Sequence, residues 1–386
     1  MPSCNRLKLA ASSPLAQEFE GHERTRAFSA LGSTFGIGLA FGPLLAGLLI
    51  AEFGWRAVFL SSAGIGSLAL LFGVPRMCES RDPNAARFDW PGATLFTGTL
   101  TLFTFGIIQG PDSGWGSPLV LCLLLCATLM FMAFIVVEAR RVRPMLDLSL
   151  FRYPRFVGVQ MLPIATCYCY VVLLVILPLR FIGIEGRSPV DAGILLIALS
   201  APMLVVPLIA AMLTRWFSAG ALSGFGLLIA SAGLLMLGRV DPSHSGGAAV
   251  LPMLIIGIGS GLPWGLMDGL SVSVVPKERA GMATGIFSTT RVAGEGIALA
   301  SVTAIMAALL KASLTPMLRV ARSEVAQRLA SGDLTAAADS LPALSRHTLV
   351  TSYALAFQHL SYVLIAITLA SAVAAFALLR HTEANG

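Results

Sequence analysis

Long apolar runs separated by short polar connectors form the dominant pattern of this chain. Each run has about 18 or more residues, which as a helix can cross a hydrocarbon layer of about 30 Å. Ten runs meet this criterion, at residues 28–51, 57–75, 91–110, 117–137, 156–178, 191–213, 220–238, 249–275, 281–309 and 352–379. The pattern therefore predicts an all-α membrane protein, a polytopic bundle of about ten transmembrane helices.

Composition supports a membrane location. Of the 386 residues, 56% are hydrophobic and only 12% are charged, and the mean hydropathy is +0.82. Soluble domains have about 45–50% apolar and about 25% charged residues. The net charge is +6, but the basic residues cluster in the connectors between apolar runs. That distribution indicates orientation in a lipid bilayer and not binding to nucleic acid.

Lys and Arg are concentrated in alternate connectors. The richer set comprises residues 1–27, 76–90, 138–155, 214–219, 276–280 and 380–386. Because basic connectors stay on the cytoplasmic side, both termini are predicted to be cytoplasmic. The long connector 310–350 then lies outside the cell, although it carries five basic residues. Its apolar residues Leu318, Val325 and Leu329 recur at near-helical spacing and predict a surface helix there.

The first apolar run is unusually rich in glycine. Gly38 and Gly42 are four residues apart, so they share one helix face and allow a neighbouring backbone to approach closely. Pro43 comes directly after them, removes a backbone donor and bends the helix, and Gly47 lies one turn further on. These residues suggest a pivot between helices. The alternative is ordinary packing of small residues.

Arg291 and Glu295 are ionisable residues inside the ninth run. Charges at this depth are costly and are candidates for function. Their spacing of four residues puts them on one helix face, where they can pair. One hypothesis makes Glu295 a proton-accepting carboxylate whose proton affinity Arg291 adjusts. The alternatives are a static ion pair that docks two helices, or an Arg291 that reaches the cytoplasmic interface.

Asp268 is a third ionisable residue, in the eighth run. Glycines recur there every four residues and predict one smooth helix face, at Gly257, Gly261, Gly265 and Gly269. Asp268 directly precedes one of them, so it is expected to point away from that face, toward a cavity. Trp264 lies one turn earlier, and the two could line a pocket for a cationic, aromatic-friendly ligand. Alternatively, Asp268 reaches water near the helix end.

The sequence carries no recognisable constellation for catalysis or cofactor binding. It has no Walker A pattern. The spacing of Gly257, Gly259 and Gly261 resembles a dinucleotide-binding motif. That motif directly follows a β-strand, whereas these glycines lie inside a predicted membrane span. The six cysteines and five histidines have neither zinc-site nor disulfide-framework spacing. We therefore expect no enzyme activity, no catalytic or metal-ligating residues and no cofactor.

The glycine-rich run resembles motif C of antiporters in the major facilitator superfamily, a pattern ending G-P-x-x-G-G. Gly38, Gly42, Pro43 and Gly47 match it, whereas Ala46 replaces one glycine. Further segments that resemble the fourteen-span drug–proton antiporter branch are Gly54-Trp55-Arg56, Asp89-Trp90-Pro91-Gly92, Gly186-Arg187-Ser188-Pro189 and Glu278-Arg279-Ala280-Gly281. The resemblance implies a transporter in the bacterial inner (plasma) membrane. It implies proton-coupled efflux of small amphipathic or drug-like compounds by alternating access.

Two departures accompany the resemblance. Motif C lies in the fifth span of that family but in the first span here, which implies that the chain lacks the first four spans. The superfamily carries a signature loop with an acidic residue, and the C-terminal copy of that loop would fall at 214–220. No acidic residue is present there. The implied organisation comprises, from the N-terminus, a cytoplasmic lead-in (1–27), the last two helices of an N-terminal bundle (28–75), two linker helices with their loops (76–145) and a six-helix C-terminal bundle (146–386). The alternatives are a truncated, non-transporting remnant, a membrane interaction protein, or a metabolite importer.

Overall fold

The computed structural model describes residues 38, 41–74, 89–141, 148–242, 247–275, 280–314, 322–340 and 345–379. All regular elements in these ranges are helices. Nine of these helices are long and apolar enough to cross a membrane. They are α2 (Arg56–Gly73), α3 (Trp90–Ser113), α4 (Pro118–Arg140), α5 (Pro154–Ile184), α6 (Pro189–Leu213), α7 (Ala219–Leu237), α8 (Val250–Ser273), α9 (Ala280–Leu314) and α12 (Arg346–Leu378). The remaining helices are α1 (Phe41–Phe53), α10 (Arg322–Ala330) and α11 (Leu334–Ser340).

These helices confirm the prediction of an all-α membrane protein. Nine of the ten predicted spans correspond to long apolar helices. The first, 28–51, lies largely outside the described residues, which include only its second half as α1. The predicted helix in the connector 310–350 is present as α10, where Val325 and Leu329 are buried, while Leu318 lies outside the described residues.

Helix α5 is interrupted twice. Wider π-helical turns occupy Cys167–Val171 and Leu179–Ile184, on either side of a short α-helical segment that ends at Pro178. Each π turn inserts a residue and rotates the rest of the helix about its axis. The second turn places Arg180 inside the bundle, although it comes at the end of the apolar run.

Helix α8 packs through glycine on two sides. Gly257, Gly261 and Gly265 contact α6, and a methyl group at Gly265 would lie 2.6 Å from the α6 backbone. Gly259 faces the other way, against the backbone of α7. The predicted smooth face is thus confirmed for three of its four glycines. The fourth, Gly269, has no described atom within 4 Å of its Cβ position.

Helices α3 and α4 form a hairpin whose open end is tied by polar groups. Asp89 caps α3 by accepting a hydrogen bond of 3.1 Å from the Gly92 amide, and it forms an ion pair of 3.5 Å with Arg141. Glu138 is 2% exposed, and its carboxylate lies 2.6 Å from the Cβ position of Gly92. A side chain at position 92 would displace this carboxylate. Helix α3 also packs along α9, which joins the hairpin to the later helices.

Candidate functional site

Arg291 and Asp268 form an ion pair between two membrane-spanning helices. The Arg291 Nη1 atom of α9 lies 3.6 Å from Asp268 Oδ1 of α8. The side chains are 19% and 36% exposed, respectively, so both are partly shielded from solvent. The Arg291 guanidinium also lies 6.0 Å from the ring centroid of Phe287, one turn earlier on α9. The pair links α8 to α9 at a depth where an isolated charge would be costly.

This geometry adds a partner that the sequence analysis did not predict. Arg291 lies within ion-pair distance of Asp268 and also acts electrostatically on Glu295. Spacing of four residues brings two side chains to one helix face. It says nothing about a third charge on an adjacent helix, which here is Asp268.

Glu295 lies one turn beyond Arg291 and is partly exposed. Its neighbours Val292 and Gly296 are exposed, so this face of α9 is open in the described structure. The three ionisable residues thus form a small cluster in which Asp268 pairs with the guanidinium and Glu295 is partly exposed beside it. Such a carboxylate can take up and release a proton while the ion pair stays in place.

Helix α5 packs against the turn of α9 that carries the cluster. The Cys167 thiol donates to the Arg291 carbonyl oxygen at 3.9 Å. Cys167 and Ile164 each come within 3.9 Å of the Cβ position of Gly294. The turn of α9 that carries Arg291 and Glu295 therefore lies directly against α5.

Trp264 is a core residue. It is 9% exposed, and its ring meets the buried ring of Tyr170 edge-on, with centroids 6.0 Å apart and planes at 60°. It shares α8 with Asp268 but packs toward α5. The ligand pocket predicted around Trp264 and Asp268 remains a prediction.

The glycine-rich helix α1 packs against the start of α6. A Cβ atom on Gly47 would lie 2.6 Å from the Pro189 carbonyl oxygen, and one on Gly193 would lie 3.0 Å from the Pro43 carbonyl oxygen. Glycine on both sides brings the two backbones into contact. No described atom lies within 4 Å of the Cβ positions of Gly38 and Gly42. The close approach expected at Gly38 and Gly42 is therefore seen one turn later, at Gly47.

A buried charge network at the end of α5 escaped the sequence analysis. Arg180 is fully buried, and its Nε donates to Glu185 at 3.0 Å while Nη2 donates to the Val240 carbonyl oxygen at 2.8 Å. Its guanidinium lies 4.8 Å from the ring centroid of Phe357 on α12. Arg187 donates to the second Glu185 oxygen at 2.9 Å. The network ties the end of α5 to the segment that follows α7 and to α12.

The described residues contain no group of three or more His, Cys, Asp or Glu side chains that could hold a metal ion. The charged side chains of the cluster can exchange a proton at a carboxylate and attract a cation or an anion.

Comparison with known proteins assigns the family. The model of the Major Facilitator Superfamily matches residues 9–299. The chain is 32% identical over 311 residues to multidrug resistance protein Stp of Mycobacterium tuberculosis, covering 80% of this chain and 57% of that protein. It is 27% identical over 273 residues to the tetracenomycin C resistance and export protein of Streptomyces glaucescens, covering 70% and 51%. It is 32% identical over 287 residues to cephamycin export protein CmcT of Amycolatopsis lactamdurans, covering 73% and 59%.

The chain thus spans little more than half the length of these curated relatives. The matched region nevertheless takes in most of its described helices, from α1 to the Arg291–Glu295 turn of α9. The chain belongs to the Major Facilitator Superfamily of membrane transporters.

Proposed function

We propose that this protein is a proton-coupled exporter of small amphipathic compounds that works by alternating access. The observation that carries the proposal is the cluster of Arg291, Asp268 and Glu295 inside membrane-spanning helices. Ionisable groups at this depth are rare, and they mark paths for substrates, ions or protons. The printed names of the relatives, which refer to multidrug resistance and to export of antibiotics, support a drug-like substrate. We propose no catalytic role.

Glu295 is the residue we assign to proton coupling. Its carboxylate is partly exposed, and the neighbouring Arg291 guanidinium acts on it electrostatically while pairing with Asp268. In the protonated state it is neutral and tolerates a closed, dry environment. After losing its proton it attracts a cationic substrate, so proton and substrate alternate at one group. This exchange is the minimal chemistry of an antiporter.

Asp268 and Arg291 are assigned to the substrate path as a linked pair. Their contact couples the position of α8 to that of α9, so a movement of either helix changes the field at Glu295. Trp264 supports α8 from the core side through Tyr170. A double-mutant cycle with Asp268→Asn and Arg291→Gln tests the link. Coupling of about 0.5–3 kcal/mol is expected for groups in direct contact, whereas additive losses would refute it.

The contact between α1 and α6 is assigned the role of pivot. The atoms nearest to the Cβ positions of Gly47 and Gly193 are backbone atoms of the facing helix. We infer that one helix group rocks against the other about this backbone contact, as alternating access requires. We assign α1 and α2 to one rocking unit, α3 and α4 to a linker, and the helices from α5 onward to the other unit.

The membrane topology remains part of the proposal. We place both chain termini in the cytoplasm and α10 outside the cell, in a bacterial plasma membrane. In a background whose six native cysteines are replaced by serine, single cysteines introduced at Ser331 and Arg215 should react with an impermeant maleimide from outside and inside, respectively. The opposite labelling would reverse the orientation.

A reconstituted transport assay tests the function. The purified full chain is incorporated into proteoliposomes with an acidic lumen, and a fluorescent lipophilic cation is added outside. We expect dye accumulation that a proton–potassium exchanger abolishes and that protein-free liposomes do not show. Dye uptake indifferent to the gradient, or no uptake, would refute coupled export and favour a non-transporting membrane protein.

A further inference from the structure

A cavity of about 430 Å³ lies where α3, α9 and α10 meet, at the end of the bundle opposite to the start of α9. This volume falls in the range of about 300–1,000 Å³ typical of ligand pockets. It is separate from the Arg291 cluster. Its principal lining residues are Ile108, Pro111, Ala304, Ala307, Arg328 and Ser331.

The apolar wall of the cavity is formed by two helices that are long and apolar enough to cross a membrane. Ile108 and Pro111 belong to the last turns of α3, and Ala304 and Ala307 face them from α9. Just beyond, the ring of Trp115 lies 2.8 Å from the Cβ position of Gly110. Tryptophan at a helix end is typical of the membrane–water interface. We therefore expect the cavity to open near the boundary between hydrocarbon and headgroups.

The polar rim of the cavity is held in place by a backbone contact. After α10 the chain turns at Gly332, which has φ of +81°. The Cβ position of Gly332 lies 2.8 Å from the Leu179 carbonyl oxygen, and its backbone also abuts Gly183 of α5. This contact fixes α10 over the cavity, so the rim is formed before any ligand arrives.

Arg328 provides a cation at this rim. Its Nη2 pairs with Glu324 at 2.6 Å and its Nη1 donates to the Ala336 carbonyl oxygen at 3.1 Å, yet its side chain is 38% exposed. An exposed ion pair contributes at most about 1 kcal/mol. A second anion can therefore share the guanidinium at little cost.

We propose that this cavity is a binding site for an anionic phospholipid, with one acyl chain between α3 and α9 and the phosphate beside Arg328. The apolar wall formed by α3 and α9 suits an acyl chain, and Arg328 at the polar rim suits a phosphate.

Photolabelling tests the proposal on the full chain. The protein is reconstituted with phosphatidylglycerol that carries a photoactivatable acyl chain, and labelled peptides are identified by mass spectrometry. We expect labelling near Ile108 and Ala304. Ala307→Trp fills the cavity and should reduce this labelling about tenfold, whereas the exposed neighbour Ala308 offers the matched control Ala308→Trp, with no change.

The surface variant Arg328→Gln supplies an independent readout that does not depend on core packing. It should lower the preference for phosphatidylglycerol over phosphatidylcholine about fivefold, the effect of the roughly 1 kcal/mol that one basic residue contributes near an anionic surface. Arg346→Gln, which changes an exposed arginine at the same end, should leave the preference unchanged.

Equal labelling in Ala307→Trp and Ala308→Trp would show that the label comes only from bulk lipid around the protein. Displacement by inorganic phosphate or by the dye would show a different ligand. Any of these results overturns the proposal.

Discussion

Gly47 offers the sharpest perturbation of the proposed pivot. In Gly47→Ala the new methyl group would lie 2.6 Å from the Pro189 carbonyl oxygen and 3.2 Å from its carbonyl carbon. Both are backbone atoms of α6 and cannot rotate away as a side chain would. Helix α1 or the start of α6 must therefore shift.

The magnitude can be worked out by comparison with Gly42→Ala on the same helix. Both changes gain up to about 1 kcal/mol of helix propensity. Gly42 has no described atom within 4 Å of its Cβ position, so it gains this term alone. Gly47→Ala also carries the cost of overpacking, about 1–3 kcal/mol. Propensity cancels in the difference, and Gly47→Ala should be less stable than Gly42→Ala by about 1–3 kcal/mol.

Reversible unfolding in mixed detergent micelles measures this difference, and dye transport by the same variants measures its consequence. We expect the transport rate of Gly47→Ala to fall about fivefold or more, the equivalent of about 1 kcal/mol, while Gly42→Ala stays close to the parent protein. Gly193→Ala, on the other side of the contact, should resemble Gly47→Ala. Equal stability and equal transport in the Gly47 and Gly42 variants would refute a close contact there.

Two further matched pairs test the buried network and the turn after α10. Arg180→Met removes a fully buried cation from Glu185 and should destabilise the protein by about 3–5 kcal/mol, whereas Arg187→Gln, 27% exposed, should cost about 1 kcal/mol or less in the same unfolding assay. Similar losses would contradict the burial of Arg180. Gly332→Ala and Gly54→Ala both strain a positive φ, of +81° and +78°, but only position 332 also meets backbone atoms. The unfolding free energy should therefore drop further for Gly332→Ala by about 1 kcal/mol or more, and a larger drop for Gly54→Ala would argue against the contact with α5.

The membrane helices were predictable because the membrane imposes a single dominant requirement. A spanning segment must satisfy its backbone internally and present apolar side chains over a set length. Both conditions can be read from a linear sequence. The glycine face of α8 was predictable for a similar reason, since a repeat of four maps directly onto one side of a helix.

Contacts between helices were less predictable. The contact of Arg291 with Asp268 was not predicted, because spacing along one helix reveals nothing about charges on the next. Arg180 ends an apolar run and therefore resembles a loop residue, yet the π turn at Leu179–Ile184 places it inside the bundle. Gly42 and Gly47 look equivalent in sequence, and only the position of α6 distinguishes them.

The central claim, proton-coupled export through Glu295, is tested most directly by comparing two modes of transport in one variant. Glu295→Gln keeps the shape of the side chain but cannot exchange a proton. In proteoliposomes it should lose accumulation of dye driven by a pH gradient and retain exchange of labelled for unlabelled dye without a gradient. Glu52→Gln, an exposed carboxylate on α1, is the matched control and should retain both. Gradient-driven accumulation by Glu295→Gln at the parent rate would contradict the account.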